Sequence, residues 1–123
     1  MLRALIIVLL FLHALIHVAI WMTPSRTATN APFDAAQSWL IGTQPALSAG
    51  IALLAAALLA GAGVGLLMTL DWWRTLAIGG AAVSLALVAI FFNPWFLIAA
   101  VVDAGGIVSL VWIGWPGKEL VGA

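Results

Sequence analysis

The chain has 123 residues, of which 66% are hydrophobic and 7% charged, and it carries no net charge. A soluble globular domain usually has about 25% charged residues, so this composition points to a lipid solvent, and a neutral chain offers no basic field for nucleic acid. The absence of cysteine excludes a disulfide framework, thiol catalysis, cysteine-ligated zinc, iron–sulfur clusters and CxxC redox chemistry.

Four long apolar stretches follow one another at about Ala4–Met22, Ala46–Leu70, Thr75–Phe92 and Trp95–Gly114. Each is long enough to cross a hydrocarbon layer ~30 Å thick as a helix. The expected fold is therefore all-α, a polytopic bundle of four transmembrane helices, with residues 1–123 forming a single transmembrane domain and the lipid bilayer as its first partner.

The first stretch carries His13 and His17, four residues apart and so on one helix face, flanked by Leu9, Leu10, Ile20 and Trp21. Arg3 followed by an apolar run resembles a secretory signal. The run is longer than a typical signal core, however, and no small-x-small cleavage site follows it, so it reads as a span. Pro24, Ser25 and Thr27 are expected to stop this helix. In the loop Thr23–Pro45, Asp34 is placed to cap a short helix ending at Gly42. Phe33, Trp39, Leu40 and Ile41 would lay that helix on the outer interface, as a connector or as a lid over an outward cavity.

The second stretch carries Ala57, Gly61 and Gly65, a ridge of small residues spaced by four that permits close helix contact within one chain or between copies. Asp71-Trp72-Trp73-Arg74 is a tight connection whose Asp71 and Arg74 either pair or face water. Asn93-Pro94 is another tight turn. Together they make spans two, three and four antiparallel neighbours. No internal period appears, and the two halves are not similar enough to suggest an inverted-repeat transporter.

Tryptophan occurs seven times and tyrosine never. Trp21, Trp72, Trp73, Trp95, Trp112 and Trp115 fall at or near span ends, where an indole sits well at headgroup level, and are expected to be interfacial anchors. Arg3, Arg74 and Lys118 on one side against Arg26 on the other place both termini in the cytoplasm of a bacterial plasma membrane.

His13, His17 and Asp103 are ionisable groups inside spans, where they are costly and turn to the bundle interior or a cavity. With ~1.5 Å rise per residue, His13 lies roughly 13 Å and Asp103 roughly 12 Å from the outer end of its span. If spans one and four are neighbours, the two groups pair near mid-membrane, with Ser84 at similar depth. Such a cluster serves as a structural clamp between helices or as a proton-relay or solute site. The histidines are also candidate metal ligands, and haem ligation would need one histidine from each of two chains. No nucleophile elbow or paired-carboxylate site is present, so no catalytic residue and no enzymatic activity is expected; nor is a resident cofactor, metal or haem being the exception to test.

The segments LHALIH, PFDAAQSWLIG, DWWRTLAIGGAAVSL and FFNPWFLIAAVVDAGGI together resemble a group of uncharacterised small bacterial four-helix membrane proteins, mainly of actinobacterial type. The resemblance covers nearly the whole chain and implies four spans with matching positions for His13, His17 and Asp103, but no activity. A weaker likeness to DoxX-type proteins rests on architecture and small-residue helices. Small multidrug transporters are similar in size but carry a glutamate in the first span, where this chain has histidines. Two functions follow as expectations. One is an accessory or assembly subunit that associates with itself, as a homo-oligomer, or with a larger membrane complex through its helix faces. The alternative is a small carrier for protons, a metal ion or a small solute, using His13, His17 and Asp103.

Overall fold

The computed structural model describes residues 1–22 and 34–123. Its elements in chain order are α1 (Leu2–Trp21), a minimal hairpin of β1 (Gln37–Ser38) and β2 (Gly42–Thr43), α2 (Pro45–Leu67), α3 (Trp73–Ile90), a 3-10 turn (Pro94–Phe96) leading into α4 (Leu97–Val108), a π-helical turn (Ser109–Ile113) and α5 (Lys118–Val121). Four helical segments, Leu2–Trp21, Pro45–Leu67, Trp73–Ile90 and Pro94–Ile113, are long and apolar enough to cross a membrane. The protein is a multi-pass membrane protein built as an all-α bundle. The second span ends earlier than the hydropathy implied, because Thr69 turns the chain with φ of 59° and the Leu70 amide closes on the Gly65 carbonyl at 2.8 Å.

The helices neighbour one another in chain order, α1 on α2, α2 on α3 and α3 on α4. Lipid cannot drive helices together by the hydrophobic effect, so close packing of small residues has to do it. The inner face of α2 is accordingly Ala52, Ala55, Ala56, Leu59, Ala62 and Gly63, and α3 answers with Ala77, Gly80, Ala81 and Ser84. A Cβ built on Gly80 would stand 2.8 Å from Leu59 Cγ and 3.2 Å from the Leu59 amide nitrogen. Here two backbones nearly touch.

Of the expected small-residue ridge, Gly61 and Gly65 are spent within the chain. A Cβ at Gly61 would meet Leu76 at 2.9 Å, and one at Gly65 would meet the Trp72 ring at 2.7 Å. Ala57 departs from expectation: it is exposed and belongs to no such contact. The α2–α3 crossing uses positions 61 and 65 near the turn, and by position 57 the ridge has rotated outward.

The segment after Asp34 is not the expected interfacial helix. Asp34 Oδ1 accepts from the Ala36 amide at 2.9 Å, which caps a turn, and Gln37–Ser38 then pairs antiparallel with Gly42–Thr43. The reason lies in α3, whose last carbonyls have no intrahelical donors. Ser38 Oγ donates to the Ile90 carbonyl at 2.5 Å and the Trp39 indole to the Ala89 carbonyl at 2.7 Å. The hairpin therefore serves as the C-terminal cap of α3. The expected stop signals Pro24, Ser25 and Thr27, with Arg26 and Phe33, lie outside the described residues.

Arg3 does the same for α2: its Nε donates to the Leu66 carbonyl at 3.1 Å and its Nη2 to the Leu67 carbonyl at 2.7 Å. A cation on a helix C-terminus satisfies orphan carbonyls and opposes the negative end of the helix dipole. Arg3→Ala is expected to cost roughly 1–2 kcal/mol, read as a lower midpoint in thermal or denaturant unfolding in detergent. Arg3→Lys should recover only part of it, since a single ammonium does not span two carbonyls as the guanidinium fork does.

At the same end, Lys118 Nζ donates to Asp71 Oδ1 at 2.8 Å and holds that carboxyl below the usual carboxylate range. The pair is fully exposed, so it contributes little. Arg74, a candidate partner for Asp71, instead donates to the Pro116 carbonyl. Trp73 also departs from the anchor reading. It is 1% exposed and packs with Ala62, Leu66, Ala77 and Val121, because α3 starts with this side chain turned inward and the 121–123 segment covers it. Trp72, Trp95, Trp112 and Trp115 are exposed at helix ends.

Candidate functional site

The polar residues picked out from sequence converge. His13 and His17 lie one turn apart on α1, their rings stacked with centroids 5.0 Å apart. Trp21, a further turn on, stacks on His17 at 5.6 Å and donates its indole N–H to the Ala35 carbonyl at 3.0 Å. It is therefore a partner of the cluster as well as a residue at a helix end. Phe96 adds a ring against Trp21 at 5.1 Å. The i, i+4, i+8 spacing of His13, His17 and Trp21 is what builds this aromatic column, and it was available in the sequence.

Across from the column, Asp103 on α4 is 2% exposed. Its Oδ1 lies 3.4 Å from His13 Nε2, so the expected equal depth of the two groups brings them into contact. Its Oδ2 meets Ser84 Oγ on α3 in a short hydrogen bond. Ser84, fully buried, also meets His17 Nε2 at 2.9 Å. His17 Nδ1 faces the His13 carbonyl at 3.0 Å. The result is a continuous chain, His13–Asp103–Ser84–His17, joining α1, α3 and α4. Among the described residues, no buried side-chain nitrogen or oxygen lacks a hydrogen-bond partner.

These contacts restrict the protons. A carbonyl only accepts, so His17 Nδ1 carries a hydrogen and donates to the His13 carbonyl. While the cluster holds no net charge, two placements then satisfy every contact. In the first, the Asp103 carboxylic acid donates to Ser84 Oγ and the Ser84 hydroxyl donates to His17 Nε2. In the second, His17 is an imidazolium donating to Ser84, and Ser84 donates to the Asp103 carboxylate. The two differ by one concerted shift. The acid proton passes to Ser84 Oγ as the serine proton passes to Nε2. Serine ends as it began, and total charge is unchanged.

The geometry gathers metal ligands less well. Both ring nitrogens of His17 already face Ser84 and a backbone carbonyl, and among the described residues no group of three His, Cys, Asp or Glu side chains is placed to hold a metal ion. His13 and His17 lie on one side of α1, as their spacing required.

His13 opens onto a feature that hydropathy gave no sign of. Between α1 and α4, which do not lie against each other as the sequential pairs do, runs a cleft of about 670 Å³ walled from Ile6 to Ile20 on α1 and by α4 with the helical turns at its two ends, from Trp95 to Leu110. Ala77 and Ala81 of α3 are part of its floor. His13 and Asp103 are its ionisable wall residues, and His13 presents 18% of its side chain.

The protein is thus a four-helix, multi-pass membrane protein with a buried polar chain beside an apolar lateral cleft. Comparison with protein families, with curated proteins and with solved structures gave no match.

Proposed function

We propose that the protein is a small carrier of a bacterial cytoplasmic membrane, with both termini cytoplasmic, that takes up and passes a proton through His13, Asp103, Ser84 and His17. The observation that carries this reading is the unbroken run of contacts from Asp103 through Ser84 to His17, which admits two proton placements interconverted through Ser84. A structural clamp needs one satisfied arrangement, whereas a relay needs two, and the contacts of this cluster admit two. A buried network in a low-dielectric setting is also where such a shift proceeds without water competing for each bond. Imidazole suits the task because it gains and loses a proton near neutral pH.

The alternative role, an accessory or assembly subunit of a larger membrane complex or homo-oligomer, drew on small residues at helix faces. Gly61, Gly65 and Gly80 are engaged inside the chain, whereas Gly50, Gly105 and Gly106 meet nothing within 4 Å, so that role would draw on the latter positions.

The test is proton flux into proteoliposomes containing a trapped pH-sensitive dye, driven by a potassium-diffusion potential. The native protein is expected to acidify the lumen faster than empty vesicles. Ser84→Ala, which removes one hydroxyl from the middle of the chain, is expected to slow this at least tenfold while leaving the protein folded. Flux from Ser84→Ala equal to native would end the relay reading. Native mass spectrometry after mild extraction is expected to give this chain alone or with copies of itself, and stoichiometric co-purification of other chains would restore the accessory role.

A further inference from the structure

We propose that the α1–α4 cleft is a lateral binding site for a neutral, membrane-dissolved molecule that carries a hydroxyl group on an apolar body, a lipophilic phenol or alcohol. This rests on the relay reading in sharing His13 and Asp103 with it and in drawing on the two proton placements of the cluster.

Size argues first. The cleft holds about 670 Å³, within the ~300–1,000 Å³ of ordinary small-molecule sites. Its α1 wall, Ile6 to Ile20, is about 21 Å long at helical rise, room for a single extended amphiphile.

Placement of the polar groups argues next. His13 sits midway along the wall, seven residues from Ile6 and seven from Ile20, about 10 Å from each end. A phospholipid tail would fill the groove, but its headgroup stays at the interface and leaves His13 facing hydrocarbon. The ligand that matches is one whose polar atom travels with it into the membrane. Such a group must be uncharged to be dissolved there.

Chemistry selects the head. In one proton placement Asp103 is an acid, in the other a carboxylate. A hydroxyl both donates and accepts, so it suits the mouth of the cluster in either. A carboxylate head would be repelled by Asp103 in the second placement. Gly105 and Gly106 line the cleft, and a Cβ at either would meet nothing within 4 Å, so the wall leaves room at this depth.

The test uses the full chain in phosphatidylcholine vesicles with a para-alkylphenol bearing a diazirine in its chain, alongside the same probe with its hydroxyl methylated. After irradiation, adducts are mapped by peptide mass spectrometry. Saturable labelling on the cleft walls, for example at Leu10, Ile16, Val102 and Leu110, at least tenfold stronger for the phenol than for its ether, is the expected result. His13→Leu should reduce it about tenfold. Gly106→Leu, whose Cβ would meet nothing within 4 Å and whose remaining atoms would occupy the cleft, should abolish it with unfolding unchanged, so loss of labelling is separable from loss of fold. Unsaturable labelling spread over outward residues such as Leu5, Val8 and Val111, equal labelling by phenol and ether, or cross-linking of two chains through these walls would each overturn the proposal. Ser84, behind Asp103 and away from the cleft wall, separates the two ideas: Ser84→Ala should keep native labelling. Labelling without proton flux in the native protein would keep the cleft and end the relay. Flux without saturable labelling would do the reverse.

Discussion

Gly80→Val is expected to disrupt the bundle more than any other single change of comparable size. The added atoms would enter a space where Leu59 Cγ is 2.8 Å and the Leu59 amide nitrogen 3.2 Å from the first new carbon. A leucine tip can rotate away, but the backbone of α2 cannot, so the helices must separate. Overpacking a close-packed interior costs typically ~1–3 kcal/mol. Here the cost should reach or exceed the upper figure, because the loss spreads to the Ala52 and Ala62 contacts that depend on the same approach. The measurement is denaturant unfolding in mixed micelles. Gly50→Ala is the control: nothing lies within 4 Å of its Cβ, and better helix propensity should leave stability equal or slightly raised. A Gly80→Val protein as stable as native would mean that α2 and α3 do not meet at this point.

Asp103→Leu is expected to separate structure from function. Asp103 bonds Ser84 and pairs with His13, and interhelical hydrogen bonds in membranes average only ~0.6 kcal/mol, at most ~1.7, because the unfolded reference also finds partners. The stability cost should therefore stay at roughly 1–3 kcal/mol. Leucine also removes an ionisable group from hydrocarbon, and Ser84 remains free to donate to His17. The folded bundle is expected to survive while proton flux falls to that of empty vesicles. Asp103→Asn keeps shape and two polar contacts but cannot release a carboxyl proton, so it should be equally silent in flux and closer to native in unfolding. If instead Asp103→Leu unfolds while Asp103→Asn stays folded and conducts normally, the cluster is a clamp between α1, α3 and α4. A double-mutant cycle with Ser84→Ala gives the coupling directly, since neighbours in one network do not add.

The two variants also mark where the sequence was sufficient. Span lengths follow from hydropathy because hydrocarbon thickness is fixed, and the equal depth of His13 and Asp103 follows from counting residues along straight helices. That count anticipated their contact, given α1 and α4 near enough to bridge. The stacked column from His13 to Trp21 was implicit in the spacing by four. What counting could not give is rotation. Ala57 and Gly61 share a spacing pattern, yet one is exposed and the other packed, and Trp73 looks like Trp72 in sequence but points into the core. A helix's rotation about its axis is set by the neighbour it packs on, and no local signal carries it.

Capping shows the same division. Ser38 and Trp39 read as residues of an amphipathic connector, but α3 needed donors for its final carbonyls and that demand turned the segment into a hairpin. Arg3 read as a topological charge, and in the bundle it closes α2, 63 residues away in sequence. By itself the sequence determined the apolar character of the bundle, the number of its spans and the relative level of His13 and Asp103, because these depend on composition and on distance along one chain. The tertiary structure alone decided that Ser84 joins Asp103 to His17, and that α1 and α4 stand apart around a cleft. Both depend on how far separate helices lie from each other and which faces they turn inward, and those quantities exist only once the helices have packed.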